Sequence, residues 1–424
     1  MKNINSADKF VKNTIGPQEI ERDLTYVESP YLIKYENTLY NAVTREAVVV
    51  ENIADDIDYL IRAWFYIPKG FDASSLPYLV RQRRLKTENG PGSNLKHSYT
   101  IFTTTACNAS CSYCFEKGYD ILTMSEKTAE DVASYILRTR NRTRPTNIEW
   151  FGGEPLCNKK VITKICTILK ENGIKYTSGL TTNGSLLPEC SDEELRDIWN
   201  LTHAQLTFDD IGEEYDKIKS LPNGSFDKLL KSMERLERLK VYTHVRIHYD
   251  LNRGKDPCFK IIDTVSHFTN IHPYGKILYD NGSLEYYKGL LEINDYIEKS
   301  GHTYYNFPDV CSIYHCMADT NRIVAITPEG KLSPCGHHAY GENIFGDIYS
   351  KNVNGNILKK WMTKEKVTKA ECKSCPLYPS CMKLANCPAE GKCSEGYQYY
   401  QIETIKRALR RRAKELNGSS GIRS

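Results

Sequence analysis

The stretch Thr103-Thr-Thr-Ala-Cys-Asn-Ala-Ser-Cys-Ser-Tyr-Cys-Phe-Glu-Lys-Gly118 decides how the rest of the chain is read. It spaces Cys107, Cys111 and Cys114 as C-x3-C-x2-C, directly after a strand-like run from Tyr99 to Thr105. Three thiolates on one short loop can each hold one iron of a cubane and leave the fourth iron without a protein ligand. Such an arrangement suits chemistry better than electron storage. A structural zinc loop is the competing reading. Zinc takes four closed ligands, usually from two paired C-x2-C knuckles, and this loop offers three thiols with no histidine nearby. The cluster reading is the stronger.

Outward from the loop, the pattern repeats as strand, loop, helix, strand. Strands are expected at 99–105, 146–151, 175–182, 203–209, 241–250 and 274–280. Helices are expected between them near 125–140, 159–172, 191–199, 225–239 and 255–269, with Ser191-Asp-Glu-Glu194 as a capping box. Repeated βα units imply a parallel sheet. Alternation narrows its form. Val241, Thr243, Val245 and Ile247 share one face of their strand, while Tyr242, His244, Arg246, His248 and Asp250 share the other. Likewise Ala204, Leu206 and Phe208 oppose His203, Gln205, Thr207 and Asp209. Strands of a doubly wound sheet are apolar on both faces. One apolar face for helices and one polar face for a lumen indicate a partial barrel, whose chemistry sits at the C-terminal strand ends. Those ends include Cys107–Cys114, Gly152-Gly-Glu154, Thr182-Asn183, Asp209-Asp210 and His248–Asp250. After Trp150-Phe, the pair Gly152-Gly153 lets backbone approach a ligand closely.

The flanks differ in composition. Residues 1–97 contain no cysteine and read as a small α+β module: paired strands within Tyr31–Asn41 and Glu46–Val50, a turn at Glu36-Asn37, and a helix over 55–65. Glu88-Asn-Gly-Pro-Gly-Ser-Asn94 reads as a linker. Of 15 cysteines, eight fall between Cys311 and Cys393. Ile326–Cys335 reads as a hairpin turning at Glu329-Gly330. Ile402–Leu416 is a basic helix, read first as a solvated face and second as a surface for an acidic peptide or carrier. The balance of 57 basic against 53 acidic residues, net +4, does not argue for nucleic acid. No run of about 18 apolar residues exists to span a membrane, and no secretory signal is visible. A cytoplasmic protein is expected, in which so many thiols serve metal clusters rather than disulfides.

Together these residues resemble the radical S-adenosylmethionine (radical SAM) superfamily, whose signature is C-x3-C-x2-C with an aromatic before the last cysteine, here Tyr113. The resemblance covers roughly residues 98–300. It implies an open-iron [4Fe–4S] cluster that binds SAM and, when reduced, cleaves it to methionine and a 5′-deoxyadenosyl radical. It further implies that Gly152, Gly153 and Glu154 are the GGEP motif contacting the SAM amino group, and that Thr182 and Asn183 are a third-strand contact. Arg246 and His248 fall where the fifth strand contacts SAM, with Asn more usual than His at the latter. The cysteines beyond residue 310 resemble a SPASM domain, with x5 rather than x3 before Cys387. By that resemblance Cys311, Cys316, Cys335 and Cys387 hold one auxiliary [4Fe–4S] cluster, and Cys372, Cys375, Cys381 and Cys393 hold a second. A zinc ribbon over 372–393 competes on spacing alone.

The fold class expected is therefore α/β, a partial (β/α)6 TIM-like barrel (98–300). It lies between the N-terminal α+β module (1–97) and a cysteine-rich SPASM iron–sulfur domain (301–398), with a basic helix and tail (399–424). The resemblance implies a maturase of a precursor peptide or protein, of the ranthipeptide or SCIFF type, that installs a thioether or C–C crosslink. It also implies an electron donor of flavodoxin or ferredoxin type, with no nucleic acid and no membrane as partner. An anaerobic sulfatase-maturing activity, which makes formylglycine, is the alternative. Those enzymes carry an Asp directly after the second SPASM cysteine, where this chain has Gly336; His337 and His338 are weak substitutes as bases. A non-catalytic electron-transfer protein is the third reading. The N-terminal module is expected to cap the fold or to hold a leader peptide by strand addition.

Overall fold

The computed structural model describes residues 1–88, 95–114, 116–305, 318, 320–350, 352–362, 370–381 and 393–418. Cys311, Cys316, Cys387 and the linker after Glu88 lie outside the described residues. The N-terminal module is a four-stranded antiparallel sheet ordered β1 (Lys2–Asn5), β5 (Ala47–Val49), β4 (Thr38–Asn41), β3 (Leu32–Tyr35). The β3–β4 turn falls at Glu36-Asn37 as expected, with Glu36 at φ 52°. A two-stranded ribbon, β2 (Tyr26–Glu28) with β6 (Tyr66–Pro68), and helices α1 (Lys9–Ile15), α2 (Ile53–Arg62) and α3 (Ser75–Glu88) complete it. Asp8 caps α1 by accepting from the Phe10 and Val11 amides, which offsets donors that the first turn leaves unpaired.

This module keeps a small core of its own (Leu39, Val48, Val50, Leu60 and Phe65) and shares a larger one with the C-terminal part. Val11, Tyr31, Ile33, Tyr40 and Val80 pack in one buried cluster with Leu377, Tyr378, Cys381, Ile405 and Leu409. Tyr31 stacks on Tyr378 with ring centroids 6.0 Å apart, and its hydroxyl donates to the Lys373 carbonyl at 2.7 Å. The first and last parts of the chain thus share apolar burial worth about 1.5–3 kcal/mol per large side chain.

Six parallel strands follow in spatial order: β7 (Ser98–Thr104), β8 (Thr146–Gly152), β9 (Tyr176–Thr182), β10 (Leu201–Phe208), β11 (Tyr242–Tyr249) and β12 (Ile271–Ile277). Every adjacent pair is parallel. The helices that follow them are α4 (Glu126–Thr139), α5 (Lys159–Glu171), α6 (Gly212–Lys219), α7 (Ser225–Arg238), α8 (Asp256–Val265) and α9 (Leu284–Lys299). Tyr99, Ile101, Ile148, Trp150, Leu206, Val245 and Ile247 bury their side chains in one core with residues of these helices, including Val132, Ile162, Leu229 and Ile261. The polar faces are left to the lumen, as the alternation predicts.

Three local expectations shift. The last strand begins at Ile271 rather than 274, because Ile271 is buried and pairs with Thr243, while Pro273 and Gly275 read as breakers yet lie within the strand. The segment 191–199 is helical over 192–198 but winds as a π-helix from Glu194 to Ile198, with its capping box made in both directions (Glu194 N to Ser191 Oγ 3.0 Å, Ser191 N to Glu194 Oε2 2.7 Å). Helix α8 stops at Val265, short of 269.

Beyond the barrel, β13 (Ile323–Ile326) returns to pair in parallel with β7, and β14 (Lys331–Ser333) and β15 (Gly346–Asp347) extend the same sheet antiparallel. The hairpin turns at Glu329-Gly330 as expected, Gly330 at φ 81°. The cysteine-rich part is therefore continuous with the barrel sheet at β7, the strand that leads into the cysteine loop. Helices α10 (Gly355–Met362), α11 (Ala370–Lys373) and α12 (Glu395–Gly418) follow, and α12 packs along α9 and the N-terminal sheet. Among the described residues no helix is long and apolar enough to cross a membrane.

Candidate active site

The cysteine loop leaves the C-terminal end of β7 and is pinned at several points. Thr105 N donates to the Leu122 carbonyl at 2.8 Å, Ser110 N to the Lys219 carbonyl at 2.9 Å, and Cys114 N to the Cys111 carbonyl at 3.2 Å. Cys107 and Cys114 are exposed and Cys111 is half-buried. Cys107 Sγ accepts from the Ala109 amide at 3.4 Å and lies 4.0 Å from Asn183 Nδ2. N–H donors aimed at sulfur are what a cluster thiolate needs around it. Burial pushes the Cys107 thiol up to about 12 and also raises Cys111, against the lowering pull of Lys219 and a Tyr113 hydrogen bond. These groups are thus protonated until metal displaces the proton. The three thiols share one pinned loop and the N–H donors reach Cys107, while among the described residues no three His, Cys, Asp or Glu side chains are gathered around a single metal position.

The Gly-Gly pair at the end of β8 is required by how closely that loop approaches. A Cβ on Gly152, which sits at φ +141°, would lie 2.1 Å from the Thr104 carbonyl oxygen. One on Gly153 would lie 2.5 Å from the carbonyl oxygens of both Thr105 and Ala106. Gly153 N and Glu154 N donate to the Thr104 and Ala106 carbonyls at 3.0 and 2.9 Å, so β8 holds the root of the cysteine loop directly. Glu154 is fully buried, and its carboxylate accepts from Thr182 Oγ1 (2.8 Å), Leu156 N (3.1 Å) and Asn183 N (2.8 Å). Burial raises its pKa to about 7 and these donors oppose the rise. In this geometry Glu154 fastens the end of β9 to the end of β8. Asn183 in turn donates to Asn108 Oδ1 on the loop at 2.8 Å.

Beneath the loop lies a buried polar network that the sequence reading marked only in part. Tyr113 OH donates to Asp209 Oδ2 at 2.7 Å. Lys219 Nζ reaches the same oxygen at 2.9 Å and the Tyr113 hydroxyl at 2.8 Å. His248 Nδ1 lies 2.7 Å from Asp209 Oδ1, and because a carboxylate only accepts, that nitrogen carries the hydrogen. The Lys219 and Asp209 side chains are 4% and 1% exposed. Burial works against charge on Asp209, but Lys219 and then His248 outweigh it and hold the carboxyl below its usual range. Burial lowers His248 against the pull of Asp209. Lys219 was missed because α6 was missed: an eight-residue helix gives little periodicity, and one lysine among 57 basic residues carries no mark. Glu116 was missed as well. It is buried, burial pushes it up to about 7, and one carboxylate oxygen has no partner among the described residues.

Deeper in the lumen, Arg246 Nε donates to Tyr274 OH at 2.7 Å, and Tyr274 OH donates to Gln205 Oε1 at 2.8 Å. His203 Nε2 bridges to Glu149 at 2.9 Å across β9, over Gly179, where a Cβ would lie 2.0 Å from the imidazole. The expected contacts Thr182, Asn183, Arg246 and His248 are thus gathered at or below the mouth, with His248 and Arg246 each engaged by a neighbouring lumen side chain.

Of the second cysteine set, Cys372 and Cys375 make a tight turn (Cys375 N to Cys372 O 3.1 Å), and burial first, then Cys393 and Cys372 nearby, raise the Cys375 thiol. Gln398 Nε2 donates to Cys393 Sγ at 3.2 Å. Cys381 is buried in the core shared with the N-terminal module. Cys335 is buried separately, against Ala318 and Trp361. Gly336, His337 and His338 form one short 3-10 turn; His337 is exposed, and a Cβ at Gly336 would meet Thr100 of β7 at 3.6 Å.

Comparison with known proteins adds the following. The family model described as the radical SAM superfamily matches residues 101–256. GTP 3′,8-cyclase of Clostridium perfringens is 26% identical over 308 residues, 64% of this chain and 90% of that protein. The radical SAM cyclopropyl synthase TigE of Paramaledivibacter caminithermalis is 25% identical over 196 residues, 42% of this chain and 40% of that protein. Among solved structures, anSMEcpe with bound AdoMet and the Cp18Cys peptide superposes with a TM-score of 0.54 at 17% identity, covering 76% of this chain and 99% of that one. Streptococcus suis SuiB bound to precursor peptide SuiA gives 0.51 at 14% identity, covering 85% and 95%. At such identities the structures speak for the fold.

Proposed function

This chain carries a radical SAM domain within a SPASM-type fold, and from that premise we propose that it is a peptide maturase that installs a thioether or C–C crosslink in a ribosomally made precursor. The observation that carries the reading is the three-thiol loop held by Gly152-Gly153 at the C-terminal mouth of a polar-lined barrel. In this reading Cys107, Cys111 and Cys114 hold the SAM-binding [4Fe–4S] cluster. When bound, cluster and SAM supply a 5′-deoxyadenosyl radical for hydrogen abstraction. The chain's own part is to position and to exclude water. Glu154 locks β8 to β9, Asn183 braces the loop through Asn108, and the Tyr113–Asp209–Lys219–His248 network fixes the loop from below. Carbonyls at the Gly152-Gly153 turn and the Asn183, Arg246 and His248 side chains are the groups available to SAM.

A peptide substrate is supported by the peptides bound to anSMEcpe and to SuiB. The outer strands β1 and β3 of the N-terminal sheet offer edges on which a leader peptide adds as a further strand. Formylglycine formation is disfavoured because Gly336, close against β7, offers no carboxylate. The test is the mass of the peptide encoded beside the gene after anaerobic reaction with reconstituted enzyme, SAM and a reductant. A loss of two hydrogens is expected; an unchanged peptide, or consumption of GTP instead, contradicts it.

The remaining cysteines support two auxiliary clusters. Cys335 with Cys311, Cys316 and Cys387 would hold one, and Cys372, Cys375, Cys381 and Cys393 the other. Reconstituted protein is then expected to carry about 12 iron atoms per chain, from three cubanes. Iron near four, or zinc in its place, would remove the auxiliary clusters and leave the first.

A further inference from the structure

Where α12 crosses α9 beside the end of β3 there is a cavity of about 660 Å³, lined by none of the cysteine-loop residues. Its walls are set by ion pairs. Arg407 donates through Nε and Nη2 to the two oxygens of Asp295 at 2.8 and 3.1 Å, and through Nη1 to Glu403 at 2.9 Å. Arg411 Nη1 donates to both oxygens of Glu298 at 2.8 and 3.1 Å, and its Nε to Glu415 at 2.9 Å. Such forked pairs fix the side chains they join. They also engage all four carboxylates of the lining, against six basic side chains. Lys299, Arg410 and Lys414 are left over, with no ion-pair partner among the described residues, and Tyr35 of β3 adds a hydroxyl.

We propose that this cavity binds an acidic segment of the peptide substrate, with Lys299, Arg410 and Lys414 meeting its carboxylates. The proposal rests on the peptide-maturase reading. The volume suits several side chains rather than one small anion. Lys299, Arg410 and Lys414 are exposed beside carboxylates already engaged by other cations, so this wall carries a net positive field that an acidic segment complements. The neighbouring β3 is an outer strand, and a peptide laid along it would send every second side chain the same way. The contribution is electrostatic and comes from exposed side chains, so it is salt-sensitive.

The test is fluorescence anisotropy of a fluorescein-labelled hexaglutamate with the full reconstituted chain at low salt. Saturable binding is expected, with none for hexaglutamine. Lys299→Glu/Arg410→Glu/Lys414→Glu should weaken it about tenfold or more, as should raising salt to about 0.5 M. The milder Lys299→Gln/Arg410→Gln/Lys414→Gln variant should fall between, with an unchanged thermal melt. Absent binding, equal binding by the triple-Glu variant, or equally tight binding of a hexathymidylate to the same residues would overturn the proposal. SAM cleavage without peptide should be unaffected by either variant. Cleavage without hexaglutamate binding sinks this proposal alone, whereas binding without cleavage sinks the enzymatic reading and with it the cavity's role toward a substrate.

Discussion

Lys219→Met should destabilise the barrel by about 3–5 kcal/mol, because it leaves the Asp209 carboxylate buried without its cation. The two side chains are 4% and 1% exposed, so water cannot replace the lost partner. Tyr113 and His248 still donate to Asp209, which places the expected loss at the lower end of that range. Adding Asp209→Asn removes the stranded charge, so the double variant should recover much of the loss rather than sum the two. Trp150 and Trp199 lie in the barrel core, so urea titration followed by tryptophan fluorescence reads this region. Additive losses, or a Lys219→Met effect below about 1 kcal/mol, would mean that the ion pair does not hold the loop.

Much of the barrel was legible because its physics is local. Polar and apolar residues alternate from Val241 to Asp250, and the structure puts Val245 and Ile247 against the helices with Arg246 and His248 in the lumen. The cysteine loop and the Gly-Gly pair were readable for the same reason, since spacing and close approach leave marks within a few residues. What failed to show was long-range. Nothing near Tyr31 announces that its partner is Tyr378, so the joint core of the first and last segments could not be read. Lys219 matters through a contact ten residues from Asp209 and 106 from Tyr113. Glu154 was expected to face SAM, yet its burial is completed by Thr182 and Asn183 on the next strand. Each of these roles depends on a tertiary neighbour that composition and periodicity do not specify.

The proposed function stands on the loop at Cys107, Cys111 and Cys114 building a site that cleaves SAM. Its expected effect is the largest of all, because removing one of the three loop ligands leaves the cubane a thiolate short. The direct measurement is formation of 5′-deoxyadenosine from SAM by anaerobically reconstituted protein with dithionite, beside Cys107→Ala prepared identically. The account predicts steady 5′-deoxyadenosine from the unaltered chain and none above background from Cys107→Ala. Persistent absence of product from the fully iron-loaded, unaltered chain, or equal product from both proteins, would contradict it.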